Sequence, residues 1–158
     1  ISYLLKPAKV THVYARIITV DKSSPVDDHC LITLEFDNNV LATVDASWVS
    51  PGGVDDVLEV LGRDGYVRAD LARGQTLDLY TLVGSNETAE KVETNKGWLK
   101  VPHEEARAWG WFAEIEHFTS VLLDGASPII TGEDGYQALK VAIAAYESAK
   151  THQRITIN

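Results

Sequence analysis

The chain contains no methionine, one cysteine and only three phenylalanines in 158 residues. Cys30 has no second cysteine with which to form an internal disulfide, so nothing demands an oxidising compartment, and the cytoplasm is the expected location. It falls in an alternating strand pattern, where a free thiol reads as a small core residue rather than a nucleophile. The missing methionine, with Ile1 at the start, fits either initiator processing or a piece of a longer polypeptide. No apolar run reaches the roughly 20 residues of a membrane span, and no secretory signal pattern opens the chain. Positive charge is scarce: 14 Lys and Arg stand against 23 Asp and Glu, a net charge of −9. Nucleic acid and anionic membranes would repel such a surface, so neither is an expected partner. The phosphate-binding patterns G-x-G-x-x-G and G-x-x-x-x-G-K-[ST] are absent, as are G-x-S-x-G and H-E-x-x-H.

What is present is an ordinary globular composition, 45% apolar and 23% charged, of one domain's length. Residues 9–20 are rich in β-branched and aromatic side chains and predict a strand. A hairpin follows. Cys30, Ile32, Leu34 and Phe36 alternate with polar residues on one arm, and Val40, Ala42, Val44, Ala46 and Trp48 on the other, around Asp37-Asn38-Asn39. Residues 56–61 and 66–71 predict a second hairpin around Asp64-Gly65, and residues 77–83 a further strand. Residues 84–97 read equally as a ragged edge strand or a loop, and residues 98–101 as a short strand.

From about Glu104 the period changes to that of a helix. Trp111, Ile115, Phe118 and Leu122 form its apolar stripe, and Asp124-Gly125 its end. Thr131 and Asp134 begin a second helix as a capping box. On this helix Tyr136, Leu139, Ile143 and Tyr146 form one stripe and Ala138, Ala142, Ala145 and Ala149 another, which predicts burial over a wide face. Residues 154–157 close as a strand. The fold class is α+β: a predominantly antiparallel open sheet with two C-terminal helices packed on one face.

Few residues invite chemistry. Glu133 and Asp134 at the second helix's N-terminus would repel a phosphate, so Gly132–Gly135 reads as a cap. Asp27-Asp28-His29 gathers three metal-ligand types, but neighbours in extended chain point to opposite faces. Glu114 and Glu116 are two apart on a helix and do not share a face. Trp109, Trp111 and Phe112 wrap more than half of a helical circumference, so at least one of them turns away from any single core.

Four stretches resemble the C-terminal domain of the glucose–fructose oxidoreductase, inositol dehydrogenase and rhizopine-catabolism (Gfo/Idh/MocA) family. They are LLKPAKVTHVYA at 4–15, LITLEFDNNVLATVDASW at 31–48, AEIEHFTSVLLDGASPIITGEDGYQALKVAIAAYESA at 113–149 and RITI at 154–157. The most specific is the connection G-x-x-P-x-x-T-G-x-D-G. Two departures stand out: Lys6 occupies a position where glycine is frequent, and residues 151–153 lack the usual glycine.

The resemblance implies a dihydrodipicolinate-reductase-like C-terminal domain of an NAD- or NADP-dependent oxidoreductase of sugars, cyclitols or related polyols. The implied parent enzyme holds the dinucleotide in an N-terminal Rossmann domain, which is absent here, so no cofactor and no metal are expected on this chain by itself. No catalytic residue is assigned to it. The register of the first helix puts Trp111 at the substrate, in competition with its place in the core stripe. His103, Arg107 and Trp48 are further candidates for the same substrate wall. The resemblance also implies a homo-oligomer, dimer or tetramer, through the open sheet face with Thr33, Glu35, Thr43, Asp45 and Ser47. The alternative is a self-standing ligand-binding or oligomerisation module without catalysis.

Overall fold

In the computed structural model, residues 1–21, 23, 25–49, 55–71, 76–85, 95–102 and 110–157 are described. They fall into two units, Ile1–Pro51 with Ile129–Asn158, and Gly52–Pro128. The class is α+β, as the sequence predicts. The strands divide between two four-stranded antiparallel sheets, where the sequence reading had one.

In the first unit, β1 (Val10–Ile18), β2 (His29–Phe36), β3 (Leu41–Ser47) and a short β8 (Ile155–Thr156) pair in the order β3-β2-β1-β8. The β2–β3 turn uses the predicted residues. Asn39 takes a left-handed backbone (φ 63°) and Val40 N–H donates to Asn38 Oδ1 at 3.2 Å. Alternation sends Val13, Ala15, Leu34 and Phe36 to one face, where they form the core with Ala144 and Ala145. The chain's first residues make a single helical turn, with Leu5 N–H donating to Ile1 O at 3.2 Å, ahead of Pro7.

The core is covered by a 20-residue helix, Gly132–Thr151, the second of two among the described residues. Its predicted capping box is present: Asp134 N–H donates to Thr131 Oγ1 at 3.3 Å and Thr131 N–H to Asp134 Oδ2 at 2.8 Å. Lys6, one of the two departures from the family pattern, places its ammonium 2.7 Å from Asp134 Oδ1. The other departure is met by His152, which adopts the left-handed conformation (φ 57°) that a glycine would otherwise supply.

The buried face of this helix differs from the predicted one. Ala144, Ala145 and Ser148 are buried, with Val141 beside them, whereas Tyr136, Leu139, Ile143 and Tyr146 are exposed. At 100° per residue the bulky stripe lies about half a turn from the packed one. Small side chains let the helix approach β1 closely enough for a specific polar contact. Ser148 Oγ accepts from Ala15 N–H at 2.9 Å and donates to Gln153 O at 2.6 Å, with Ser148 and Ala15 both fully buried. Hydrophobicity scoring passes over this stripe because its most buried member is a serine.

In the second unit, β4 (Val57–Leu61), β5 (Gly65–Asp70), β6 (Thr76–Thr81) and β7 (Gly97–Pro102) form an antiparallel meander. A Cβ on Gly65 would come within 2.3 Å of Tyr80 O, so the hairpin requires glycine there. The shorter helix is α1 (Trp111–Leu123), and its predicted start near Glu104 lies outside the described residues. Gly110, with φ 76°, is its N-cap, and residues 103–109 lie outside the described set. None of its residues is buried, so the expected core stripe of Trp111, Ile115, Phe118 and Leu122 is exposed. The longer helix is called α2 below.

Two predictions follow from the α2 contacts. Ser148→Ala leaves the buried Ala15 N–H without its acceptor and should lower unfolding stability by about 2 kcal/mol, read from urea denaturation. A loss below about 0.5 kcal/mol would show that the contact is dispensable. The Lys6 ammonium, then the Thr131 N–H and hydroxyl, hold the Asp134 carboxyl at about 2, below its ordinary 3.8. A depressed carboxyl stabilises the fold above its unfolded value, and that contribution fades as pH falls through the folded one. Thermal melts should therefore separate the parent chain from Asp134→Asn at pH 6 and bring them together between about pH 4 and pH 2. A gap independent of pH would exclude the ionised carboxyl as its cause.

Candidate functional site

The loop from β1 to β2 is built on Asp28. Its buried carboxylate accepts the N–H groups of Val20 and Asp21, each at 2.7 Å, and its carbonyl accepts Trp48 N–H at 2.8 Å. These bonds bring the loop against the end of β3 and leave the Trp48 indole 92% exposed. Asp21, Val26, Asp27, Asp28, Trp48 and Val49 line the open cleft that results, about 310 Å³ in volume.

The cleft is acidic. Asp21 Oδ1 accepts Ser23 N–H at 2.9 Å, and hydrogen bonds from Ser23 hold its carboxyl below the usual range. Asp27 Oδ1 accepts the Tyr146 hydroxyl of α2 at 2.8 Å, and this bond raises the phenol above its ordinary value. Fixed carboxylates accept hydrogen bonds from hydroxyl groups, and an exposed indole offers a flat apolar face to C–H groups. The arrangement suits a neutral polyhydroxylated molecule or a cation. It contains no nucleophile–base pair.

Asp27, Asp28 and His29 do not converge. Asp27 turns to Tyr146, Asp28 to the loop backbone, and His29 Nδ1 to Asp45 Oδ1 at 3.8 Å. Among the described residues no three His, Cys, Asp or Glu side chains could hold a metal together. The α2 N-terminus does not fit a dinucleotide pyrophosphate, because Glu133 and the ionised Asp134 occupy its first turn.

The four candidates from the sequence are placed as follows. Trp48 lines the cleft of the first unit. Trp111 opens α1 in the second unit and is 66% exposed, which removes the core reading within this chain. His103 and Arg107 lie outside the described residues. The carboxylates around Trp48 were missed as a group. The only signal for them was the density of acidic residues at 21, 27 and 28.

The face of the first sheet opposite α2 carries Thr33, Glu35, Thr43, Asp45 and Ser47, as the alternation predicts. Arg154 reaches back from before β8 to bind Glu35 with both carboxylate oxygens, Nε to Oε1 at 2.8 Å and a terminal nitrogen to Oε2 at 2.5 Å. That guanidinium holds the Glu35 carboxyl below its ordinary value. Tyr14, Leu31 and Leu41 add exposed apolar area to the same face.

The fold and these surfaces define an α+β chain whose first unit has a sheet covered on one face by α2 and an acidic, aromatic cleft. The model of an oxidoreductase family, C-terminal alpha/beta domain, matches residues 1–157, so the chain belongs to the Gfo/Idh/MocA oxidoreductases as their C-terminal domain. It is 28% identical over 132 residues to the scyllo-inositol 2-dehydrogenase (NAD(+)) of Bacillus subtilis, covering 83% of this chain and 35% of that protein. To the myo-inositol 2-dehydrogenase of Thermotoga maritima it is 27% identical over 138 residues, covering 87% and 38%. The crystal structure of GenD2 from gentamicin A biosynthesis, in complex with NAD, superposes with a TM-score of 0.75 at 29% identity, covering 98% of this chain and 43% of that one. The chain thus spans between a third and two-fifths of the length of these curated relatives.

The Asp27–Tyr146 bond is open to direct titration. Asp27→Asn should lower the pKa of one tyrosine, seen in the ultraviolet ionisation curve, and Tyr146→Phe should remove that same step. Identical curves for the parent and Asp27→Asn would contradict the bond.

Proposed function

We propose that this chain is the substrate-side and subunit-contact domain of an NAD- or NADP-dependent oxidoreductase acting on a sugar, cyclitol or related polyol. One observation carries the reading. The family match runs from residue 1 to residue 157, yet the sequence contains no glycine-rich dinucleotide fingerprint. The nucleotide accordingly belongs to an N-terminal Rossmann domain, which would supply the hydride-transfer chemistry when its cofactor is bound. The residues of this chain bind and orient. Trp48 in the first unit and Trp111 in the second are each assigned to substrate contact, where an indole face meets the C–H groups of a polyol, and His103 and Arg107 are carried as candidates by the family resemblance alone. The inositol and NAD-bound relatives support this substrate and cofactor class. The open face of the first sheet, polar around Glu35–Arg154 and apolar at Leu31 and Leu41, suits a hydrated contact with a second subunit.

Calorimetric titration of the 158-residue chain with NAD, NADH, NADP and NADPH should give no heat of binding. A micromolar complex would overturn this division of labour. In the parent enzyme Trp111→Ala should raise KM for the polyol about tenfold and leave nucleotide affinity unchanged. Unchanged kinetics would remove Trp111 from the substrate wall.

A further inference from the structure

Asp28 stands just before β2, beside the ends of β1 and β3. Its N–H donates to Ile18 O at 3.2 Å and its carbonyl accepts Trp48 N–H at 2.8 Å, so its main chain carries both strand pairings one residue past His29. Its side chain holds a different segment. Oδ1 accepts Val20 N–H and Oδ2 accepts Asp21 N–H, each at 2.7 Å, and the residue is only 7% exposed. Two short bonds from backbone donors to one buried carboxylate are charge-assisted. A side-chain amide could not replace them, because it has a single acceptor oxygen.

One residue therefore holds two walls of the cleft by two different groups. The carbonyl fixes the main chain of Trp48, whose indole is 92% exposed, and the carboxylate fixes the main chain of Asp21. Asp27, the preceding residue, contributes separately through its bond to the Tyr146 hydroxyl. Asp21 Oδ1 accepts Ser23 N–H at 2.9 Å. A carboxylate offers roughly four acceptor sites, so Asp21 keeps capacity for a hydroxyl group of a ligand.

We propose that Asp28 is the positioning residue of this cleft: it sets the gap between the Trp48 indole and the Asp21 carboxylate, and that gap fits a polyol lying on the indole with one hydroxyl donated to Asp21. This inference rests on the polyol-oxidoreductase reading of the chain. Stacking on an indole tolerates small displacements, whereas a hydrogen bond weakens steeply with distance and angle. Movement of the Asp21 wall therefore costs ligand affinity while the aromatic contact persists. The role is one of binding, so it acts on KM rather than on the chemical step.

Amide hydrogen exchange on the 158-residue chain separates the two walls. Asp28→Asn removes an acceptor from Val20 or Asp21 and leaves the carbonyl that binds Trp48 N–H in place. Val20 or Asp21 should then exchange at least about tenfold faster relative to Ala15, whose rate reports global stability, and Trp48 should not. Unchanged exchange at Val20 and Asp21, or equal acceleration at all four amides, would overturn the proposal. In the parent enzyme Asp28→Asn should raise KM for the polyol about tenfold, with kcat and nucleotide affinity unchanged. The double variant Asp28→Asn with Asp21→Ala should be no worse than Asp21→Ala alone, whereas the losses from Asp28→Asn and Trp48→Ala should add. Additive losses at 28 and 21, or an unchanged KM, would overturn the proposal. Should Asn at 28 prevent folding, Asp28→Glu keeps both acceptor oxygens on a side chain one methylene longer and should give the same KM shift. A parent enzyme inactive on polyols would end the functional reading, and the ligand named here with it, while leaving the exchange pattern intact, so the two failures are told apart.

Discussion

The first unit depends on how closely α2 can approach β1, and Ser148 sets that distance. The β1–β8 pairing covers only His12 and Val13. Beyond Val13 the edge of β1 turns its next donor, Ala15 N–H, toward the helix, and Ser148 Oγ takes the place of a strand carbonyl. The same hydroxyl donates to Gln153 O and so ties down the turn that delivers β8. An unpaired N–H at a fully buried position would be costly, and a larger residue at 148 would have no room. A helix held this way must present small residues to the sheet. Its bulky residues are then left on the outer side.

Joining the ends of the chain is the complementary constraint. Residues 1–51 and the C-terminal segment from Ile129 form a single unit although 77 residues, 52–128, separate them in sequence. Lys6 spans that separation by pairing with Asp134 inside the α2 capping box, and Arg154 does so again by gripping Glu35. Both pairs are exposed ionic contacts, so they add orientation more than stability. The apolar core of Val13, Ala15, Leu34, Phe36, Ala144 and Ala145 supplies the cohesion.

Much of this was legible in the sequence, and what was not has physical reasons. Period-two alternation located the strands, Asn39 marked a turn by its left-handed backbone and Gly65 another by the close approach of Tyr80 O, because strand faces and tight turns leave local signatures. The capping box at Thr131 and Asp134 was legible for the same reason. The buried face of α2 was not, since hydrophobicity ranks Leu139 and Ile143 above Ser148, and only the geometry of β1 reverses that order. Likewise the apolar stripe of α1 reads as core although no α1 residue is buried. Trp48, a candidate from the family resemblance, lines the cleft. The part played by Asp28 was hidden, because a carboxylate that organises backbone N–H groups looks, in one dimension, like a metal ligand.

In the first unit Trp48 stands exposed beside the loop that Asp28 fixes. The central claim is that Ser148 fastens α2 to β1. Amide hydrogen exchange at Ala15 tests it most directly. The account predicts exchange as slow as the most protected amides of β1 and β2, governed by global unfolding. Exchange at the rate of an open sheet edge would contradict it.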